Sequence, residues 1–285
     1  MATLRLVPPG DPAGRFAGIR SIFDPLFIGI DEFGQPVFLP MMFRNLLGGC
    51  EPGGGKSNLL NVCLSQAALD PRCRLVLLDG KLVELGQWRH LADVFVGPDI
   101  HHALITLARV QQVVTNRCEY LLSNSRRKTF PNDFFDPILV AIDELAFFSA
   151  TAGDKKQQDL FAVLLRDLVG RGRAVGVMVI AMTQRPSSDI IPTSLRDLFA
   201  WRWAGRCTTD VSSDIVLGHG WAAKNWSANR ISPTNPGLGL LIGEGGVPMY
   251  VKVAHLSDAD CARIAAHAAN LRAARNLDRD LPRTA

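Results

Sequence analysis

The sequence predicts an α/β fold, a mostly parallel sheet covered by helices and preceded by a short N-terminal β-hairpin. Three observations carry this expectation. The apolar runs at 74–79, 138–142 and 177–181 have the length and near-continuous hydrophobicity of strands buried on both faces. Stretches of helical period at 57–68, 101–122 and 157–169 separate or flank those runs. A glycine-rich segment, 48–55, joins the short apolar run Asn45-Leu46-Leu47 to the first helical stretch, so the chain there reads strand, loop, helix.

In chain order, residues before about Gly18 read as a loose arm. The segment 26–39 is a hairpin, with Phe27, Ile28 and Ile30 before the turn Asp31-Glu32-Phe33-Gly34 and Val37, Phe38 and Leu39 after it. A polar, partly basic break covers 123–136. Beyond Pro186 short elements alternate with turns, and the chain closes on a helix over 257–274 that Ser257 can cap, with Ile264, Ala268 and Leu271 on one face. The expected division is an arm and hairpin over 1–40, a main domain over 41–256, and a C-terminal helix and tail over 257–285.

Composition narrows the class. Of the 285 residues 47% are hydrophobic and 20% charged, which excludes a disordered or fibrous chain and allows one substantial core. A net charge of +4 suits a polyanionic partner without matching a protein that coats nucleic acid. The six cysteines form no C-x-x-C pair and meet no histidine at finger spacing, so a structural zinc site is not expected. No signal sequence opens the chain and no apolar stretch reaches the roughly 20 residues of a bilayer span. A cytoplasmic, reducing location follows as the expectation.

The chemistry begins at Pro52-Gly53-Gly54-Gly55-Lys56-Ser57-Asn58. Glycines let backbone N–H groups converge on a phosphate, Lys56 reaches the outer phosphates, Ser57 is placed to ligate Mg²⁺, and the helix N-terminus favours the same anion. The full phosphate-loop pattern puts glycine at position 50, where this chain has Cys50. A positive φ there would cost cysteine about 1 kcal/mol or more, weakening phosphate binding, so Cys50→Gly is expected to improve it. The run 138–142 then delivers Asp143 and Glu144 at its carboxyl end, where open α/β sheets bind ligands. Asp143 is the expected Mg²⁺ ligand and Glu144 the group that polarises the attacking water. Gln184, in Thr183-Gln184-Arg185-Pro186 after the run 177–181, is expected beside Glu144 as a γ-phosphate sensor. Arg126-Arg127-Lys128 and Lys155-Lys156 are candidate nucleic-acid tracks, and solvated faces are the plainer explanation of both.

With these motifs quoted, the chain resembles the motor domain of the FtsK/SpoIIIE family of DNA translocases over about 26–253. The carrying residues are Ile28-Gly29-Ile30-Asp31 with Pro36-Val37, the loop from Pro52 to Ser57, Leu78-Asp79-Gly80-Lys81 with Glu84-Leu85, and Ile142-Asp143-Glu144-Leu145-Ala146. They continue in Gly153-Asp154-Lys155-Lys156, Gly172-Arg173-Ala174-Val175-Gly176 and Thr183-Gln184-Arg185-Pro186-Ser187, with Arg202 and Arg206 following. The resemblance implies a RecA-like P-loop domain that binds ATP and Mg²⁺ and assembles as a homo-oligomeric ring, a hexamer, around double-stranded DNA. It implies Lys56, Ser57, Asp143 and Glu144 as nucleotide, Mg²⁺ and hydrolysis residues, and Arg173 or Arg202 as an arginine acting between subunits. The layout is similar to small conjugative transfer proteins of actinomycetes, which implies a membrane-protein partner in a transfer apparatus and leaves no room for an orienting winged-helix module. Gly237-Leu238-Gly239-Leu240 departs from the family in lacking a Gly-Asp pair. Two other readings remain open: a catalytically weak nucleotide-binding docking protein, and a P-loop ATPase that pumps protein.

Overall fold

The computed structural model describes residues 21–280; the N-terminal arm expected before Gly18 lies outside them. Strands β1 (Leu26–Asp31) and β2 (Pro36–Leu39) form the hairpin. Then follow β3 (Leu46–Gly49), α1 (Lys56–Leu69), β4 (Arg74–Leu78), β5 (Val94–Val96), α2 (Ile100–Ser123), β6 (Ile138–Ile142), α3 (Lys155–Arg171) and β7 (Val177–Thr183). The chain continues through α4 (Thr193–Arg196), β8 (Trp201–Gly205), α5 (Asp210–Leu217), β9 (Leu238–Ile242), β10 (Met249–Val253) and α6 (Asp258–Asp280).

All ten strands share one sheet in the order β2-β1-β10-β9-β8-β3-β7-β6-β4-β5. From β5 to β8 the neighbours are parallel, and from β8 to β2 they are antiparallel. The hairpin extends the sheet through β10. The apolar runs alternate between two cores. Leu139 and Ala141 of β6, with Met178, Ile180 and Met182 of β7, join α1 and α6 in one core. Val140 and Ile142, with Val177, Val179 and Ala181, join α2, α3 and α5 in the other. Successive strand side chains point to opposite faces, so a sheet covered on both sides needs apolar residues at every position.

Helix ends follow local chemistry. Asp154 caps α3 in a capping box with Gln157, which starts that helix at Lys155. The Ser257 hydroxyl accepts the Asp260 N–H at 3.1 Å, and the Asp260 carboxylate accepts the Ser257 N–H at 3.1 Å, fixing the start of α6. The glycine-rich segment is shorter than its composition suggests, because Gly48 and Gly49 belong to β3. A Cβ on Gly48 would lie 2.2 Å from Met182 and one on Gly49 2.5 Å from Val216, so these glycines serve strand packing and not the loop. Among the described residues no helix is long and apolar enough to cross a membrane.

Candidate nucleotide site

The parallel strand ends converge on one edge of the sheet. Gly49 is opposite Thr183, Ile142 opposite Ala181, and Leu78 opposite Ile142. The residues that follow, Cys50, Asp79, Asp143 and Gln184, therefore stand side by side at the carboxyl ends, above the start of α1.

Over the loop, Gly53 has φ 79° and Gly55 φ 102°, the left-handed region where glycine carries no penalty. A Cβ on Gly55 would also lie 2.5 Å from Cα of Gly237, whose N–H donates to the Gly54 carbonyl at 3.1 Å. Gly237 thus packs the loop from the antiparallel side of the sheet. That is the tertiary use of a segment that departs from the family pattern.

Lys56 is buried and donates to the Asp143 carbonyl at 2.9 Å and to the Asp143 carboxylate. Burial raises the Asp143 carboxyl above its ordinary value, and the Lys56 ammonium opposes that rise. Oxygen Oδ2 of Asp143 is buried without a hydrogen-bond partner. Such an orphaned carboxylate oxygen fits a divalent cation, and Ser57 follows directly after Lys56, which binds the same carboxylate. Among the described residues no group of three or more His, Cys, Asp or Glu could hold a metal, and Mg²⁺ held by one carboxylate, a hydroxyl and phosphates needs none.

Glu144 is held from the end of β7. Its Oε1 accepts the Thr183 hydroxyl at 2.7 Å, and its Oε2 accepts the Gln184 N–H at 3.1 Å. Lys81, which sequence reasoning quoted but gave no role, completes the cluster. Its Nζ donates to Gln184 Oε1 at 2.5 Å and lies 3.4 Å from Glu144 Oε2. The only signal for it in the sequence was its place after the acidic end of a strand.

Other expected residues are placed differently. The Asn58 side chain is not available to nucleotide: it donates to the Ala254 carbonyl and accepts the Leu256 N–H at 3.0 Å, anchoring α1 to the chain after β10. Cys50 is absent from the non-glycine residues with positive φ, so the backbone cost expected of it does not arise. Arg173 lies in the turn before β7, at the edge of the sheet opposite the loop, and pairs with Glu244 at 3.2 Å. It shares a cavity of about 540 Å³ there with Arg44, Lys128 and Phe43. Arg202 sits within β8, 3.8 Å from Asp197, with its charge disfavoured by burial. Neither arginine meets Lys56 or Glu144 of its own chain in a hydrogen bond or ion pair. Arg206 does reach the loop, pairing with Glu51 at 3.1 Å while its carbonyl accepts the Glu51 N–H. Of the basic tracks, Arg126 is held by both oxygens of Asp133 and Lys155 by Asp159.

A glycine-rich phosphate loop, a lysine, an Asp-Glu pair and a polar strand end on adjacent parallel strands define a P-loop nucleotide site. No family model matches the chain. It resembles an FtsK/SpoIIIE-type motor domain: it is 24% identical over 272 residues to the DNA translocase FtsK of Treponema pallidum (strain Nichols), covering 89% of this chain and 32% of that protein. The chain thus spans about a third of that curated relative. Among solved structures it is similar to the pCW3 conjugation coupling protein TcpA, a monomer form with ATPγS, at TM-score 0.73 and 20% identity over 86% of this chain and 70% of that one. It is also similar to the cytoplasmic domain of the Type VII secretion ATPase EccC of Thermomonospora curvata, at TM-score 0.66 and 20% identity over 90% of this chain and 32% of that one.

Proposed function

We propose that this chain hydrolyses ATP to move double-stranded DNA, acting as a homo-oligomeric ring, a hexamer, in conjugative transfer. The observation that carries hydrolysis is the convergence of Lys56, Asp143, Glu144 and Gln184 on one sheet edge, with the second Asp143 oxygen left without a partner. DNA as the cargo is supported by the similarity to FtsK, named a DNA translocase. The transfer role is the reading suggested by the fold likeness to a conjugation coupling protein. A cytoplasmic location, with membrane attachment through a membrane-protein partner, belongs to the same proposal.

The residues divide the work. Loop N–H groups and the N-terminus of α1 receive the phosphates. Binding requires Lys56 to turn from the Asp143 carboxylate to the phosphate oxygens, and that buried carboxylate then needs another cation. Asp143 and Ser57 would hold Mg²⁺, which when bound neutralises charge on the phosphate oxygens. Glu144 polarises the attacking water, held in place by Thr183 and Gln184.

ATP hydrolysis with and without linear duplex tests this reading. Duplex is expected to stimulate turnover; Lys56→Ala abolishes nucleotide binding, and Glu144→Gln keeps binding while turnover falls by about a hundredfold or more. Turnover indifferent to duplex would shift the cargo to protein. Nucleotide binding without any turnover would leave a docking module.

A further inference from the structure

We propose that Lys81 is a positioning residue of the hydrolytic site, binding the Glu144 carboxylate and the Gln184 side chain into one cluster that aims Glu144 at the attacking water. The inference rests on the ATP-hydrolysing reading above. It begins with how firmly the loop after β4 is built. Asp79 is fully buried, and its two carboxylate oxygens accept the N–H of Lys81 at 3.0 Å and of Leu85 at 2.9 Å, which fastens the loop at both ends. A Cβ on Gly80 would lie 2.8 Å from the Phe147 side chain, so the loop runs tightly against the segment that follows Glu144. Leu82, directly after Lys81, is held at φ 61°, a conformation L residues rarely adopt.

From this fixed base the Lys81 side chain crosses to β6 and β7 to meet both Gln184 and Glu144. The charges then pair off. Asp143 and Glu144 stand together after β6; Lys56 pairs with Asp143, and Lys81 supplies the cation for Glu144. Without Lys81, Gln184 Oε1 loses its donor and Glu144 Oε2 loses its ion pair, leaving it the Gln184 N–H. A carboxylate held by fewer contacts samples more orientations, and misplacing a reacting group by about 1 Å can cost on the order of 100-fold in rate. Lys81 makes no hydrogen bond to the phosphate loop, so its part is in turnover and not in nucleotide affinity.

The test uses the full chain with Lys81→Met, Lys81→Gln and Lys81→Arg. Nucleotide affinity is read by titration with a fluorescent ATP analogue, folding by thermal melting, and the chemical step by single-turnover hydrolysis. The expected result is a fall in kcat of about ten- to hundredfold for Met and Gln. Affinity and melting midpoint should hold, with most of the rate recovered by Arg. In a Glu144→Gln background Lys81→Met should add nothing further, because Lys81 acts through Glu144. Wild-type kcat in both Lys81→Met and Lys81→Gln overturns the proposal, as does an equal loss in affinity and turnover or a full multiplicative loss in the Glu144→Gln background. A wild-type chain that binds ATP without hydrolysing it sinks the ATPase reading instead, which keeps the two failures distinct.

Discussion

At position 50 the loop carries a side chain where the phosphate-loop pattern has glycine, and the structure shows how it is accommodated. The Cys50 backbone avoids the left-handed region, and its N–H donates to the Thr183 carbonyl at 3.2 Å. Its side chain is fully buried in space left by two glycines: a Cβ on Gly54 or on Gly205 would lie 2.8 Å from it. Burial pushes the thiol up to about 11, so it stays protonated near neutral pH and packs as a small apolar group. Cys50→Gly should therefore leave ATP affinity unchanged and lower stability by about 1 kcal/mol through lost packing and a freer unfolded chain. Nucleotide titration and denaturant melts check both halves, and tighter ATP binding would restore the strain explanation. Lys56 was legible because it closes a glycine run at the start of a helical stretch, and Asp143 and Glu144 because they follow a buried strand. Lys81 was not, since its partners are 63 and 103 positions away and only the lateral order of strands brings them together.

Elements are joined at the other edge of the sheet by Asp136, just before β6. Its carboxylate accepts Arg275 of α6 at 2.7 Å and lies 3.4 Å from Arg74 of β4 and 3.5 Å from Arg72. Removing the anion leaves Arg74 with Asp93, and Arg72 and Arg275 with backbone carbonyls alone. Asp136→Ala should cost about 2 kcal/mol, less than breaking a fully buried pair because Arg74 is half exposed to water. Urea unfolding measures it, with ATP affinity expected to hold because the nucleotide site is at the opposite edge; a loss under about 0.5 kcal/mol would mean the cluster is only a solvated face. Helices were easier to foresee than strands at this scale. Helical period placed α1, α2 and α3 to within two residues at either end, and α6 begins at the foreseen Ser257 cap and runs beyond the expected 274. The short strand β5, and β8 to β10, escaped because runs of three to five residues between turns give too little period to identify, and their pairing is long-range.

For the whole molecule, Arg173 and the phosphate loop lie at opposite ends of adjacent parallel strands, so Arg173 can serve a nucleotide only on another copy of the chain. Under the ring proposal, Arg173→Ala should reduce hydrolysis by about a hundredfold or more while each chain still binds ATP. Mixing Arg173→Ala with Glu144→Gln chains should recover part of the turnover, since interfaces then form that hold an intact base and an intact arginine. No recovery, together with full activity of Arg173→Ala alone, would remove this arginine from the interface and turn attention to Arg202.

By itself the sequence determined the α/β class, the mostly parallel sheet and the residues able to handle a phosphate. Two-sided burial writes itself into continuous apolar runs, and a phosphate loop needs glycines next to a lysine in contiguous order. Tertiary structure alone decided that β7 lies between β3 and β6, the neighbour relation on which the expected meeting of Gln184 and Glu144 depended. It also turned the Asn58 side chain from the nucleotide to the backbone after β10, gave Gly48 and Gly49 to a strand, and brought Lys81 to the base. Those outcomes depend on which strands become neighbours, a result of packing between distant segments that no local window of residues contains.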